Sequence, residues 1–464
     1  MPTETASEPA RSARTIPLRH VLPSLLRDPV NALVEIGATS GGEIVRLNLG
    51  PFRPYLVTHP DHIQQILRSN SASYARDGVF WRPLRRFFGD SIVSDGQEWK
   101  RSRKVLQPIF TARHVDSLTE RMAGMIADEV EAWSGKLDIG QPIDMAGPIN
   151  RTVTRTIVQT FFGDKVTMAE AERLVTALDS IGTSVVFRFL LPFVPEWVPM
   201  PGDAAFRDAV RKFDEVFFPL AQKYRGNDGG EDIVSVLCRA QELDGRKPSH
   251  QWIRDNLVSM FASGIETTAS ALTWVWPILS ANPDVAARLY AEIDEVVGGG
   301  RVTGAHLAEL PYMKRVIQEM LRLHPVAWVF NRLVMTPQTV GGVALRRGDT
   351  VLLSPYATHR LETFWDRPYE FDPDRFTADR VRGRHRYAYF PFGGGPHMCI
   401  GMHLFEIEAQ LIIGNILSRF RPVSCDPQIV TPRIGASLRP REQVQVMLRP
   451  AAECEKDGYE PVPR

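Results

Sequence analysis

The sequence predicts a mainly α-helical protein with a small β-rich side. Apolar residues recur at helical spacing over long stretches, residues 251–281, 310–323 and 402–420 among them. Only two short segments, residues 43–49 and 54–58, alternate apolar and polar residues, and they flank Gly50-Pro51 as the arms of a hairpin. No Pro/Gly/Ser-rich linker, charge run or internal repeat divides the 464 residues. The expected organisation is therefore a disordered tail, residues 1–16, followed by a single domain, residues 17–464.

Composition narrows the function classes. An apolar fraction of 44% is ordinary for a globular core, and a formal charge of +1 argues against nucleic acid as the main partner. The four cysteines (Cys238, Cys399, Cys425, Cys454) show no framework spacing, which fits a reducing cytoplasm. Residues 1–16 are polar and have no apolar core, so neither a signal peptide nor a membrane anchor is expected. Residues 256–281 are long enough to span a bilayer, yet carry Glu266 at their middle and no basic flanks; a buried core helix is the better reading. A soluble protein is expected.

Local signals place the early elements. Asp28-Pro29 opens a helix, with a capping acid ahead of proline in the first turn. His59-Pro60-Asp61 opens another. Residues 71–97 read as an irregular loop rich in aromatics: Tyr74, Phe80, Trp81, Phe87 and Phe88. These pack a core or form a lid over an apolar pocket. Residues 98–110 form a helix on which Trp99 and Arg103, at i and i+4, share one face. Lys100, Arg101 and Lys104 add a solvated basic face, which would also steer an acidic partner. Residues 116–241 are helical with polar breaks and carry no recognisable chemistry.

Two stretches do carry chemistry. Residues 251–281 contain Ala262-Ser263-Gly264-Ile265-Glu266-Thr267-Thr268, polar groups inside an apolar helix, which need partners. Thr267 can bond back to a preceding carbonyl and, beside Gly264, bend or widen the turn. A carboxylate next to a hydroxyl can pass protons; a kinked core helix with a satisfied threonine is the competing reading. The second stretch is Phe392-Gly393-Gly394-Gly395-Pro396-His397-Met398-Cys399-Ile400-Gly401. Its glycines and proline make a tight loop that delivers one cysteine just before a helix N-terminus, where thiolate is favoured. Gly401 lets backbone donors approach the sulfur. A lone cysteine cannot complete a zinc site, but it can be the axial ligand of a haem iron. A glycine-rich turn ending in a free cysteine is the alternative.

The pattern F-G-x-G-x-H-x-C-x-G resembles the haem-binding signature of the cytochrome P450 monooxygenases. The family most often carries arginine where His397 stands, and either can donate to a haem propionate. The Glu266-Thr267-Thr268 segment resembles the family's oxygen-activating helix, with Ser263 in place of a small apolar residue. Glu319 and Arg322 in E-x-x-R, with Arg375 in P-x-x-F-x-P-x-R-F, resemble its structural triad. Arg332 stands where the family places a second propionate-binding arginine, and Trp99 and Arg103 match its W-x-x-x-R pair.

The resemblance implies a haem b (iron protoporphyrin IX) between the long central helix and the helix after the cysteine loop. Cys399 would be the iron's axial ligand, and Trp99, Arg103, Arg332, Phe392, His397 and Gly401 would hold the cofactor. Glu266 and Thr267 would deliver protons. The implied activity is O2-dependent hydroxylation or epoxidation of an apolar small molecule by a monomeric cytoplasmic enzyme, with electrons from a separate ferredoxin and ferredoxin reductase. Phe80, Trp81, Phe87, Ala262, Ser263, Trp328, Val329 and Ser437 are the expected pocket residues, and residues 187–198 a mobile entrance. Their aromatic content points to a terpenoid or polyketide. A peroxide-driven or redox-neutral haem-thiolate enzyme and a non-catalytic haem or gas-binding protein are the rival classes.

Overall fold

The computed structural model describes residues 11–79, 81–191, 194–224, 229–240, 247–424, 430–435 and 437–456, and they are mostly helical. The chain divides into two compact units. One comprises Met1–Trp81, Ala327–Glu370 and Asp379–Cys399; the other comprises Arg82–Val326, Phe371–Ala378 and Ile400–Arg464.

The first unit is built on a six-stranded sheet. Its strands run in the order Arg14–Ile16, Val45–Leu47, Tyr55–Val57, Thr350–Leu353, Phe330–Val334 and Tyr74–Ala75. Val45–Leu47 and Tyr55–Val57 are the antiparallel arms of the hairpin read from the sequence. Arg14–Ile16 pairs in parallel with Val45–Leu47, so the segment expected as the end of a disordered tail is instead an edge strand. Alternation is invisible in three residues, and only the partner strand makes this one. Asp28 caps the helix Pro29–Thr39 by accepting from the Asn31 amide at 3.1 Å. Apolar side chains on the two faces of the sheet form separate clusters, one around Val57, Ile63, Leu67 and Val351, the other around Val21, Leu33, Leu47 and Leu56.

Long helices make up the second unit. They include Ala112–Glu131, Met168–Leu190, Asp203–Lys223, His250–Thr273, Pro311–Leu323 and Met402–Arg419. Phe162, Phe213, Phe217 and Phe261 meet in its core with ring centroids 5.8–6.0 Å apart. The expected continuous helix over residues 251–281 ends at Thr273 and restarts as Val275–Ala281. The helix Met402–Arg419 was expected to be amphipathic. It is instead buried on all sides from Ile407 to Ser418, polar Glu408, Gln410 and Asn415 included. Among the described residues no helix is long and apolar enough to cross a membrane.

Residues 71–97 are not one irregular loop. Trp81–Phe88 is helical, and a second helix starts at Gly96. Within the segment expected to be mobile, Arg188 makes several contacts. Arg188, buried at the end of Met168–Leu190, donates to the carbonyls of Pro195 (3.0 Å) and Val198 (2.8 Å) and pairs with buried Asp203. Pro192 and Phe193 lie outside the described residues.

Candidate functional site

The cysteine loop belongs to the first unit. Gly393 and Gly395 adopt positive φ (71° and 66°), and a short 3₁₀ turn, Gly395–His397, lifts the chain towards Cys399. A side chain at Gly395 is excluded, since its Cβ would lie 1.7 Å from the Leu67 carbonyl oxygen. The Cys399 amide donates to the Phe392 carbonyl at 3.0 Å and the Met398 amide to the Gly395 carbonyl at 3.1 Å, closing the loop on itself. Arg76 Nη2 donates to the His397 carbonyl at 2.8 Å. The result is a pinned backbone with its thiol side chain exposed.

Phe392 and His397 are half-buried on the same loop. Arg332, buried on the strand Phe330–Val334, donates to the Asn331 carbonyl at 2.8 Å and lies 5.2 Å from the Phe330 ring centre. Arg76 had no sequence signal, because its partner lies 321 residues away.

In the second unit, Trp99 and Arg103 are both half-buried on the helix Gly96–Leu106. Lys100 and Lys104 are exposed, but Arg101 is not part of a solvated face. Its guanidinium stacks 4.1 Å from the Trp252 ring centre.

The helix His250–Thr273 carries the acid and the alcohol. The Thr267 hydroxyl donates to the Ser263 carbonyl, and the helix stays α-helical through this turn rather than widening. Glu266 Oε1 accepts from the Ser437 hydroxyl, and Arg439 Nη2 stands 3.8 Å from the same oxygen. Arg439 is itself held by Asp179 at 2.9 Å. Burial pushes the Glu266 carboxyl above its ordinary range, while the Ser437 bond and the Arg439 charge oppose that rise. Glu266 lines a solvent-connected cavity of about 220 Å3 together with Asp144, Asp179, Ser270, Arg439 and Glu442. Ser437, expected against substrate, is therefore a partner of the acid. Asp179 and Arg439 were not foreseen, being 260 residues apart in the chain.

The structure brings Glu319, Arg322 and Arg375 together. Arg322 forks onto Glu319 with bonds of 2.6 and 2.7 Å, and Arg375 Nε reaches Glu319 Oε1 at 3.3 Å. The Asp372 amide adds a fourth donor at 3.0 Å. All three side chains are buried, and burial pulls the Arg375 guanidinium below its usual value.

The remaining pocket candidates scatter. Phe80 lies outside the described residues. Phe87 is core: it packs edge-to-face on Phe88, Phe206 and Phe213 with centroids 4.9–6.4 Å apart. Trp328 and Val329 pack against the cluster around Leu33 and Leu47. Trp81 lies 5.8 Å beneath the Arg76 guanidinium, Ala262 is buried, and Ser263 is engaged through its carbonyl.

The family model for cytochrome P450 matches residues 14–447. This chain is a cytochrome P450. It is 32% identical over 431 residues to cyclooctatin synthase of Streptomyces melanosporofaciens, covering 92% of this chain and 91% of that protein. To pentalenene oxygenase of Streptomyces avermitilis it is 30% identical over 405 residues, with coverages of 87% and 88%. The crystal structure of the cytochrome P450DA haem domain shares the fold, with a TM-score of 0.83 at 22% identity over 96% of this chain and 98% of that one. The P450 is thus a haem-dependent monooxygenase that uses O2 and external redox partners. Its donor set fits a haem, which needs one soft protein ligand: Cys399 offers an exposed sulfur on a loop pinned by its own backbone hydrogen bonds.

Proposed function

We propose that this P450 hydroxylates or epoxidises a terpenoid, using haem b and electrons from a ferredoxin and its reductase in the cytoplasm. The substrate class is supported by its Streptomyces relatives, which modify terpenes. The proton chemistry is supported by one observation in particular: the Glu266 carboxyl, adjacent to Thr267, faces a solvent-connected cavity and is held by Ser437 and Arg439.

When bound, haem supplies the iron chemistry that reduces O2 and places one oxygen atom in a C–H or C=C bond. In this reading Cys399 would hold the iron as a thiolate, an electron-rich ligand. Arg103, Arg332 and His397 would take the propionates, and Trp99, Phe392 and Gly401 would help to hold the group. Glu266 draws a proton from cavity water and passes it on beside the Thr267 hydroxyl. Burial raises the affinity of that carboxyl for a proton, and the Ser437 bond and the Arg439 charge restrain the rise. Thr267 already spends its own proton on the Ser263 carbonyl, so its oxygen lone pairs face outward as acceptors.

The test is reconstitution with a ferredoxin and its reductase, a screen of terpenoid hydrocarbons and alcohols for a haem spin-state change, and product analysis under labelled O2. A hit that acquires one labelled oxygen atom supports the proposal. Spin-state responses confined to fatty acids or aromatic acids would reject the substrate class. Cys399→Ala should lose the strongly red-shifted Soret band of the reduced carbon monoxide complex, and retention of that band would reject the ligand.

A further inference from the structure

The helix Leu18–Arg27 has two apolar faces, and the fold uses only one of them. Val21 is fully buried and Leu25 packs against the cluster around Leu33 and Leu47. Leu18, Leu22 and Leu26, at i, i+4 and i+8, form a stripe on the outer side and are 38%, 41% and 69% exposed. A single exposed leucine needs no explanation, but three aligned on one short helix form a patch of the kind that marks an interaction surface.

The charges around the stripe indicate its occupant. Between Arg11 and Arg27 the chain contains Arg14, Arg19 and His20, all exposed, and not one aspartate or glutamate. Arg19 and Arg27 follow Leu18 and Leu26 directly, which sets them along the rim of the apolar face. Two nearby acids are already engaged: Asp28 caps the following helix, and Glu43 pairs with Arg11 at 3.3 Å. The residues ahead of this run, 1–10, carry Met1 and two alanines as their only hydrophobic side chains, too little apolar area to cover the leucines. The helix is also held in place, because the strand Arg14–Ile16 just before it is paired into the sheet.

We propose that Leu18–Arg27 docks this enzyme on the surface of an anionic lipid bilayer. The helix lies in the interface, with Leu18, Leu22 and Leu26 entering the acyl boundary and Arg14, Arg19 and Arg27 on the headgroup phosphates. This is the chemistry of an interfacial amphipathic helix. It requires no span, and the enzyme's near-neutral net charge means that the attraction is local to this patch.

The test is flotation of the purified holoenzyme with vesicles of phosphatidylglycerol mixed with phosphatidylcholine, and of phosphatidylcholine alone. Binding to the anionic vesicles is expected, weakening as salt screens the arginines. Leu22→Ser with Leu26→Ser should lower partitioning at least ~10-fold, the effect of removing two leucines from an apolar contact. Arg19→Glu with Arg27→Glu should lower it as well, with an unchanged carbon monoxide spectrum and melting temperature in both variants. Equal binding to neutral vesicles, no binding, or binding that both variants leave intact would overturn the proposal. So would variants that abolish a concentration-dependent dimer in sedimentation velocity, or slow reduction by the electron donor, while leaving flotation unchanged; these outcomes would assign the stripe to a second copy or to the redox partner.

Discussion

The Ser437 hydroxyl donates its hydrogen bond to Glu266 Oε1, joining the segment beside the paired strands Pro432–Arg433 and Arg439–Pro440 to the helix His250–Thr273 across 171 residues of chain. A hydroxyl donor to a carboxylate favours the charged form, so this bond and the nearby Arg439 restrain a carboxyl that burial pushes upward. Ser437→Ala should therefore raise the Glu266 pKa, and Arg439→Gln should raise it as well, by less. In both variants the carboxyl keeps its proton to higher pH, so its protonated C=O stretch in infrared difference spectra should persist to higher pH. An unmoved titration would mean that neither group governs the acid.

Thr267→Ala should bind substrate normally and consume reducing equivalents, but release more of them as hydrogen peroxide. Glu266→Gln should slow product formation, since a positioned general acid typically contributes ~10²–10⁴ in rate. The ratio of product to reducing equivalent, with peroxide assayed in parallel, checks both. Wild-type coupling in the two variants would leave these residues with a packing role alone.

Arg322→Ala and Arg375→Ala should each strand buried charge beside Glu319, which accepts from both guanidiniums and from the Asp372 amide. Removing one member of a buried pair costs roughly 3–5 kcal/mol. The expected outcome is a lower melting temperature and poor haem retention, with near-normal turnover in whatever fraction keeps its haem. Full stability would place the cluster in contact with solvent.

Glu408 makes a pH-dependent contribution to stability. It is fully buried in the helix Met402–Arg419, and neither carboxyl oxygen has a hydrogen-bond partner among the described residues. Burial pushes its pKa from 4.5 up to about 8. Between those values the native protein keeps a proton that the unfolded chain has released, so stability falls as pH rises through that window, by roughly 5 kcal/mol at most. Below about 4.5 both states are protonated and the contribution is flat. Glu408→Gln should lose this slope and gain melting temperature relative to wild type towards pH ~8. A difference between the two that does not change with pH would show that Glu408 is charged and paired.

What the sequence by itself determined is local. The cap at Asp28, the hairpin around Gly50-Pro51, the glycine loop before Cys399 and the periodic helices are each set by residues within a few positions of one another, where backbone preference and side-chain spacing decide the outcome. The ion cluster of Glu319, Arg322 and Arg375 was legible only through resemblance, since E-x-x-R on its own is as often a surface pair. The tertiary structure decided which groups share an environment. It paired Arg14–Ile16 into a sheet, buried Phe87 among other phenylalanines, laid Arg101 on Trp252 and placed Ser437, Arg439 and Asp179 around Glu266. The reason is that burial, desolvation and charge pairing depend on distance in space, and no pattern along the chain encodes a contact between residues 171 or 260 positions apart.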